Sequence, residues 1–438
     1  MVEVLVIMHF LKRYNIAVIC CVAVCAFLCS CSSVPDNGAM ISAQRQKNRG
    51  VQSPQEQVAD YEDLAVLTEA LLLVKRYYVE ERDFNDLVYS AIDGVLSDLD
   101  PNSSFLAAES LRALDDTTRG KFVGIGVNVE NGEEGIRVIA PLEESPAFKA
   151  GIKAGDTITS IDGRSLQGLA LNDAVRRMRG ENGTSVKVTV ERKDGAKEQI
   201  EIVRENIKLS CIESCRILDG NIGYLRVRQF TSATISEVKE CLRELAGQGA
   251  EKLIFDLRDN PGGILSAAVG VSDIFLNKGS LIVTLKSRTA DKPVHEYKAG
   301  GRGYKLLDMP LAVLVNGGSA SAAEVVAGAL HDNKRASLVG TRTYGKASVQ
   351  SVIKMSLRPE CAVRLTTGYY YTPDGTMIHG DGIDPDDEVQ ITFEKRKLLK
   401  HYYMREAYLR HSSVEKEVDA PEDRQIERAK EILSQTNI

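Results

Sequence analysis

The apolar run Leu311-Ala312-Val313-Leu314-Val315 passes through Asn316-Gly317-Gly318-Ser319-Ala320-Ser321 into Ala322-Ala323-Glu324 and then Val325 to Leu330, a stretch of small and apolar residues. A short apolar run bounded by a turn reads as a buried strand, and the segment after it as a helix, so Ser321 sits at a strand-to-helix turn. Gly223 to Val227 and Lys252 to Leu257 read as strands of the same kind, separated by helical stretches Thr234 to Gln248 and Gly263 to Leu276. Strands alternating with helices imply a mixed or parallel α/β sheet.

The chain has 438 residues, enough for roughly two to four domains. Its other segments differ in grammar from the α/β part. Apolar residues recur at helical spacing from Val58 to about Asp116 (Leu64, Leu67, Leu71, Val74, then Leu87, Ala91, Val95), with a break at Asp100-Pro101-Asn102. From Lys121 to Glu205, short alternating strands surround a Gly-rich loop and one helix near Leu171 to Arg179, the pattern of a small β-rich module. Thr392 to Ile438 is charged and helical in pattern. The predicted plan is a signal segment at 1–30, a tether at 31–55, a helical domain at 56–118, the β-rich module at 119–206, an α/β core at 207–391 and a helical end at 392–438.

Lys12 and Arg13 precede the apolar run Asn15 to Cys29, which is shorter than the ~20 residues of a spanning helix and has the layout of a secretory signal. Leu28 and Ser30 before Cys31 resemble a bacterial lipobox, which would make Cys31 the lipid-modified first residue of a mature, membrane-anchored protein facing the periplasm. Cys29 is a departure from that pattern, and Met8 offers a better start for the signal than Met1. Only Cys211, Cys215, Cys241 and Cys361 follow, too few for a disulfide scaffold, and an extended chain would hold Cys211 and Cys215 about 13 Å apart. No Cys/His spacing fits a zinc site, and no metal or cofactor is expected. A net charge of -6 offers no field for nucleic acid phosphates.

At its turn, Ser321 can expose a hydroxyl beside the first N–H groups of a helix, which suit a developing oxyanion. Ser321-Ala-Ala-Glu324 also fits the capping box S-x-x-E, in which the serine only satisfies helix N–H groups. A nucleophile needs a base. Of the histidines beyond the signal segment, His379 alone has a Gly-rich setting; His331 ends the helix, and His295, His401 and His411 lie in polar stretches. A lysine can serve as base if burial disfavours its ammonium form, and Lys346 is the candidate, in a loop entering a strand. If that strand begins near Lys346, Gln350 shares its face and its amide could orient the amine. Phe255 to Gly263 (FDLRDNPGG) reads as a strand ending in a tight turn whose N–H groups can approach a ligand.

Together these segments resemble the carboxy-terminal processing peptidases, or tail-specific proteases, over about Tyr61 to Val389. Ser321 occupies the family's S-A-S-A-x-E motif, Lys346 follows 25 residues later and Gln350 four after that. Leu365 to Gly375 and Gly382 to Asp386 are similar to the family's post-catalytic strand and closing turn, and Leu99 to Phe105 to its L-D-P-H-S motif, with Asn102 in place of histidine. Phe122 to Val127, Ser145-Pro146-Ala147, Ala150 to Asp156 and Ile161-Asp162-Gly163 resemble a permuted PDZ domain. The resemblance implies a core of the ClpP/crotonase-like kind and a serine endopeptidase with a Ser321–Lys346 dyad oriented by Gln350. It further implies an oxyanion hole of Gly262, Gly263 and Ala322 N–H groups, and a Gly124-Ile125-Gly126-Val127 loop that holds the free apolar C-terminus of a protein substrate. A homodimer in the bacterial envelope is expected by resemblance. A silent PDZ scaffold would lack the dyad, and an esterase triad would show G-x-S-x-G, which S-A-S-A-A is not.

Overall fold

The computed structural model describes residues 54–409 and 421–435, apart from 133, 143, 170, 209, 289–293 and 302. The signal segment, Met8 and Cys31 lie outside the described residues. Two units are distinguished, residues 1–88 and 89–438. In the first, helix α1 (Pro54–Tyr77) carries Leu64, Leu67, Leu72 and Leu73 exposed, and Lys75 Nζ lies 5.0 Å from the Phe84 ring centroid. Helix α2 (Phe84–Leu99) continues into the second unit.

The second unit opens with β1 (Ser104–Leu106) and α3 (Ala108–Thr118). The β-rich module follows: β2 (Lys121–Gly124), β3 (Val127–Asn131), β4 (Ile136–Pro141), α4 (Pro146–Lys149), β5 (Thr157–Ile161), β6 (Arg164–Ser165), α5 (Leu171–Met178), β7 (Ser185–Glu191), β8 (Lys197–Val203) and β9 (Glu205–Lys208). Its sheet runs β3-β4-β5-β7-β8, with β3 at one edge, while β2 pairs with β9. The module has a core of its own: Val186, Val188 and Val190 alternate inward from β7 onto Ile158, Ile161 and Ala174.

The α/β part comprises β10 (Ile212–Leu218), β11 (Ile222–Val227), α6 (Thr234–Gly247), β12 (Lys252–Asp256), α7 (Leu265–Phe275), β13 (Leu281–Ser287), β14 (Val294–Lys298), β15 (Leu311–Val315), α8 (Ala322–Asp332), β16 (Ser337–Gly340), β17 (Ser348–Met355), β18 (Arg358–Tyr371) and β19 (Asp387–Glu388). Helices α9 (Phe393–Leu409) and α10 (Arg424–Gln435) close the described chain. The main sheet is ordered β10-β11-β12-β15-β16-β19, parallel from β11 onward, and its strands are apolar on both faces because both are covered. Leu253, Phe255, Val313 and Val315 pack on α6, α7 and α8; Ile254, Ala312 and Leu314 face the other way, onto Leu399 and Tyr403 of α9 and Ala429 and Leu433 of α10. A second, antiparallel sheet is ordered β1-β18-β13-β14, with β17 also paired to β18.

Two sequence expectations are corrected here. The strand after Lys346 begins at Ser348, and its register with β18 shifts between Val349 and Gln350, so the period-two argument for a shared Lys346–Gln350 face does not apply. Cys215 and Cys241 form a disulfide: an extended strand keeps Cys215 from its neighbour Cys211, but Cys241 lies on α6 across from β10 and is in reach. Cys211 is a buried free thiol, and burial pushes its pKa up to about 12.

Candidate active site

In a parallel sheet the loops after the carboxyl ends of the strands gather at one edge, where ligands bind. Three such loops meet here: 257–264 after β12, 316–321 after β15 and 341–347 after β16. Backbone bonds knit them together, with Ala320 N–H donating to Asn260 O (2.9 Å) and Tyr344 N–H to Ser319 O (3.0 Å). Ser319 Oγ, fully buried, adds a bond to Leu257 O at 2.7 Å.

Ser321 lies on the turn between β15 and α8 with φ 53 and ψ -115, a conformation that costs a non-glycine residue about 1–3 kcal/mol and persists only where surroundings enforce it. The enforcing group is Glu324. Its carboxylate is completely buried and accepts from Ser321 N–H (2.8 Å), Lys346 N–H (2.9 Å), Gly345 N–H (2.7 Å) and the Thr343 hydroxyl (2.6 Å). Ser321 and Lys346 thus donate to one oxygen, Oε2, from loops 25 residues apart in sequence. The S-x-x-E register does place Glu324 on Ser321 N–H, as a capping box requires; its reach into the 343–346 loop goes beyond helix capping and has no signal in the local pattern.

Both dyad candidates are half-buried, and among the described residues no hydrogen bond joins Ser321 to Lys346, nor has Lys346 Nζ a hydrogen-bond or ion-pair partner. The Gln350 amide donates to Ser348 Oγ (3.0 Å) and Thr366 Oγ1 (3.3 Å). His379 is exposed in a loop, with its ring against Tyr369. His331, in the last turn of α8, is bonded to Asp332 (2.8 Å) and Asp386 (3.2 Å); burial alone would lower its pKa, but these carboxylates hold it above the ordinary value.

The glycine turn approaches Ser321 closely. A Cβ added to Gly262 would lie 2.8 Å from Ser321 Cβ and 2.9 Å from Ala322 N, at a φ of +100, so only glycine fits. Gly262 N–H is held by the Asn260 side chain at 2.9 Å, whereas the Gly263 and Ala322 N–H groups have no partner among the described residues. Below the turn, fully buried Asp256 pairs with Arg226 (2.7 Å) and Arg258 (2.6 Å) and accepts from Tyr224 OH. Burial would raise the Asp256 pKa, but the two guanidinium groups outweigh it and keep it far below the usual carboxylate range. Arg258 reaches on to Asp423 (2.9 Å) and Gln425 (2.8 Å). These partners fix the backbone of the turn from beneath.

In the β-rich module, Gly124 ends β2, Val127 begins β3, and Ile125 and Gly126 form the link. The Ile125 and Gly126 carbonyls accept from Ala147 and Leu142 N–H (both 2.8 Å), while their own N–H groups have no partner among the described residues. Gly126 has φ +77, and a Cβ there would overlap Ser145. Among the described residues no group of His, Cys, Asp and Glu is arranged to hold a metal ion, and no helix is long and apolar enough to cross a membrane.

Residues 221–389 match the sequence profile of peptidase family S41 and residues 123–203 that of the PDZ domain. The chain is 42% identical over 336 residues to a carboxy-terminal-processing protease of Bartonella bacilliformis, covering 75% of this chain and 76% of that protein. It is 34% identical over 326 residues to the carboxy-terminal processing protease CtpA of Bacillus subtilis, covering 74% of this chain and 68% of that protein. A solved structure from Bacteroides fragilis, assigned there to the S41 proteases, matches 78% of this chain and 88% of that one with a TM-score of 0.51; at 15% identity the likeness is one of fold.

Proposed function

The chain belongs to peptidase family S41, and on that premise we propose that it is a carboxy-terminal processing endopeptidase with Ser321 as nucleophile and Lys346 as general base. The observation that carries the assignment of roles is the single buried oxygen of Glu324, which takes the backbone N–H of both residues and so joins their loops. In the proposed reaction the unprotonated Lys346 amine takes the Ser321 hydroxyl proton as Oγ bonds to the scissile carbonyl carbon. The oxyanion would sit against Gly263 and Ala322 N–H, with Gly262 joining on release from Asn260, each donor contributing about 3 kcal/mol. Lys346 then gives its proton to the leaving amine as the C–N bond breaks. Water, deprotonated in turn by Lys346, frees the acyl group. Gln350 would orient the amine by turning its amide from Ser348.

The PDZ module would hold the substrate's terminal carboxylate on the Ile125 and Gly126 N–H groups, beside the open edge of β3. Substrates are then proteins with free, apolar C-terminal tails. For location we propose the bacterial envelope, periplasm-facing, with Cys31 as lipid anchor; the Cys215–Cys241 bond suits an oxidising compartment. A homodimer is the proposed assembly, with the apolar side of α1 as the surface a second copy would cover, to be measured by light scattering.

The test is cleavage of an unfolded reporter with an apolar C-terminal tail. Wild type should cut; Ser321→Ala and Lys346→Ala, shown folded by circular dichroism, should not; amidating the tail should slow the reaction. Wild type that binds the tail and never cuts it would return Ser321 to the role of a helix cap on a scaffold.

A further inference from the structure

Helix α9, in the helical end of the chain, borders a cleft at β3. Among the described residues β3 pairs with β4 alone, and a cleft of about 640 Å³ beside it is walled by Val129 and Asn131 of β3, Leu171 of α5, and Phe393, Lys397 and Lys400 of α9. Four other ionisable groups border the cleft: Asp259 pairs with Arg396, and Glu130 lies 3.8 Å from His401. Lys397 and Lys400 are exposed and have no ion-pair or hydrogen-bond partner among the described residues. Three apart on a helix, they share a face.

A chain whose carboxylate sits at the start of β3 and whose backbone pairs with its free edge must run antiparallel to it. Its last residue lies by Val127, and earlier residues pass Val129 and Asn131 in steps of about 3.3 Å. Of the side chains roughly two to four positions before the terminus, those on the face turned to α9 therefore enter the cleft it walls. Leu171 and Phe393 offer that segment apolar surface, and the charge left over after pairing is basic.

We propose that α9 is the outer wall of the tail-binding groove and that Lys397 and Lys400 select tails carrying an acidic side chain a few residues before an apolar C-terminus. This rests on the reading of the PDZ module as a receptor for free C-termini. It adds to that reading a second part of the chain that chooses among them.

The test uses the full-length Ser321→Ala protein, which cannot consume its ligand, and labelled peptides with one apolar terminus and Glu, Gln or Lys about three residues before it. Fluorescence anisotropy should rank them Glu, Gln, Lys. The Glu peptide should bind roughly three- to tenfold tighter than the Gln peptide, the scale of two exposed charge pairs, with the gap shrinking in about 0.5 M salt. Adding K397E/K400E should invert the order; K397A/K400A, with folding checked by its melting curve, should level Glu and Gln even if the charge swap unfolds. Equal binding of Glu and Gln peptides by the parent protein, or a Glu preference that survives K397A/K400A, overturns the role of α9. A C-terminally amidated peptide separates the two readings: if it binds as well as the free acid, or if no free-acid peptide binds, the tail-receptor reading fails and the wall with it.

Discussion

Glu324→Gln keeps the side chain's shape and removes its charge, and the four donors that converge on it set the cost. The Thr343 hydroxyl already accepts from Ile383 N–H at 2.7 Å and so donates to Glu324. A glutamine must point its NH2 group either at the Ser321 and Lys346 N–H pair or at Gly345 N–H and the Thr343 hydroxyl. The second orientation is cheaper, because a hydroxyl can turn, but it leaves Gly345 N–H without an acceptor. One orphaned buried N–H costs about 1–3 kcal/mol, and the bonds from Ser321 and Lys346 fall from charge-assisted to neutral, which brings the total to roughly 2–4 kcal/mol. Urea unfolding should show that loss as a lower midpoint at unchanged slope. With the loop no longer held, kcat should fall about tenfold or more while KM moves less than about threefold, since the tail is held elsewhere. A variant within about 0.5 kcal/mol of wild type that keeps its kcat would refute the account and leave Glu324 as a helix cap.

Gly262→Ala places a methyl group against Ser321 Cβ and the Ala320 carbonyl oxygen at a φ of +100, and should cost more than about 1–3 kcal/mol and abolish cleavage, read by melting curve and reporter assay. Cys241→Ser opens a bridge between residues 26 apart and should lower the unfolding free energy by about 3–4 kcal/mol relative to oxidised wild type, a gap that closes when wild type is reduced. Asp256, whose folded pKa lies below its unfolded value, contributes stability that is complete above about pH 4 and is lost as pH falls toward the folded value. Asp256→Asn should remove that acid slope from a urea-midpoint series and cost about 3–5 kcal/mol at neutral pH, because Arg226 and Arg258 are left buried without their shared carboxylate.

The parts legible in the sequence are those whose signal is local. Leu311 to Val315 is apolar at every position because its two faces meet two cores, and Gly262 stands where a Cβ would strike Ser321. The helix Leu171 to Met178 and the alternation of Ser185 to Glu191 were equally readable. What escaped comes from contacts made across long stretches of chain. Glu324 reads as a cap until the 343–346 loop folds onto it; Asn260 occupies the Gly262 N–H by a bond within the turn that glycine content alone does not show. Lys346 and Gln350 do not share one strand face because the strand begins only at Ser348, leaving Lys346 in the loop before it, and the extra residue in the β17–β18 pairing, Thr367, lies on β18.

Arg258 belongs to the glycine turn beside Ser321, yet one of its carboxylate partners, Asp423, lies 165 residues further on, next to the helix that covers the sheet's second face. The turn is therefore among the last pieces of the molecule to be secured. A chain that stops short of Asp423 leaves a buried guanidinium without one of its counter-ions and uncovers the part of the sheet's second face that α10 packs on. Closing contacts of such span is slow. The glycine turn beside Ser321 thus depends on a segment far along the chain, and a break before Asp423 should loosen that turn as well as the second face of the sheet.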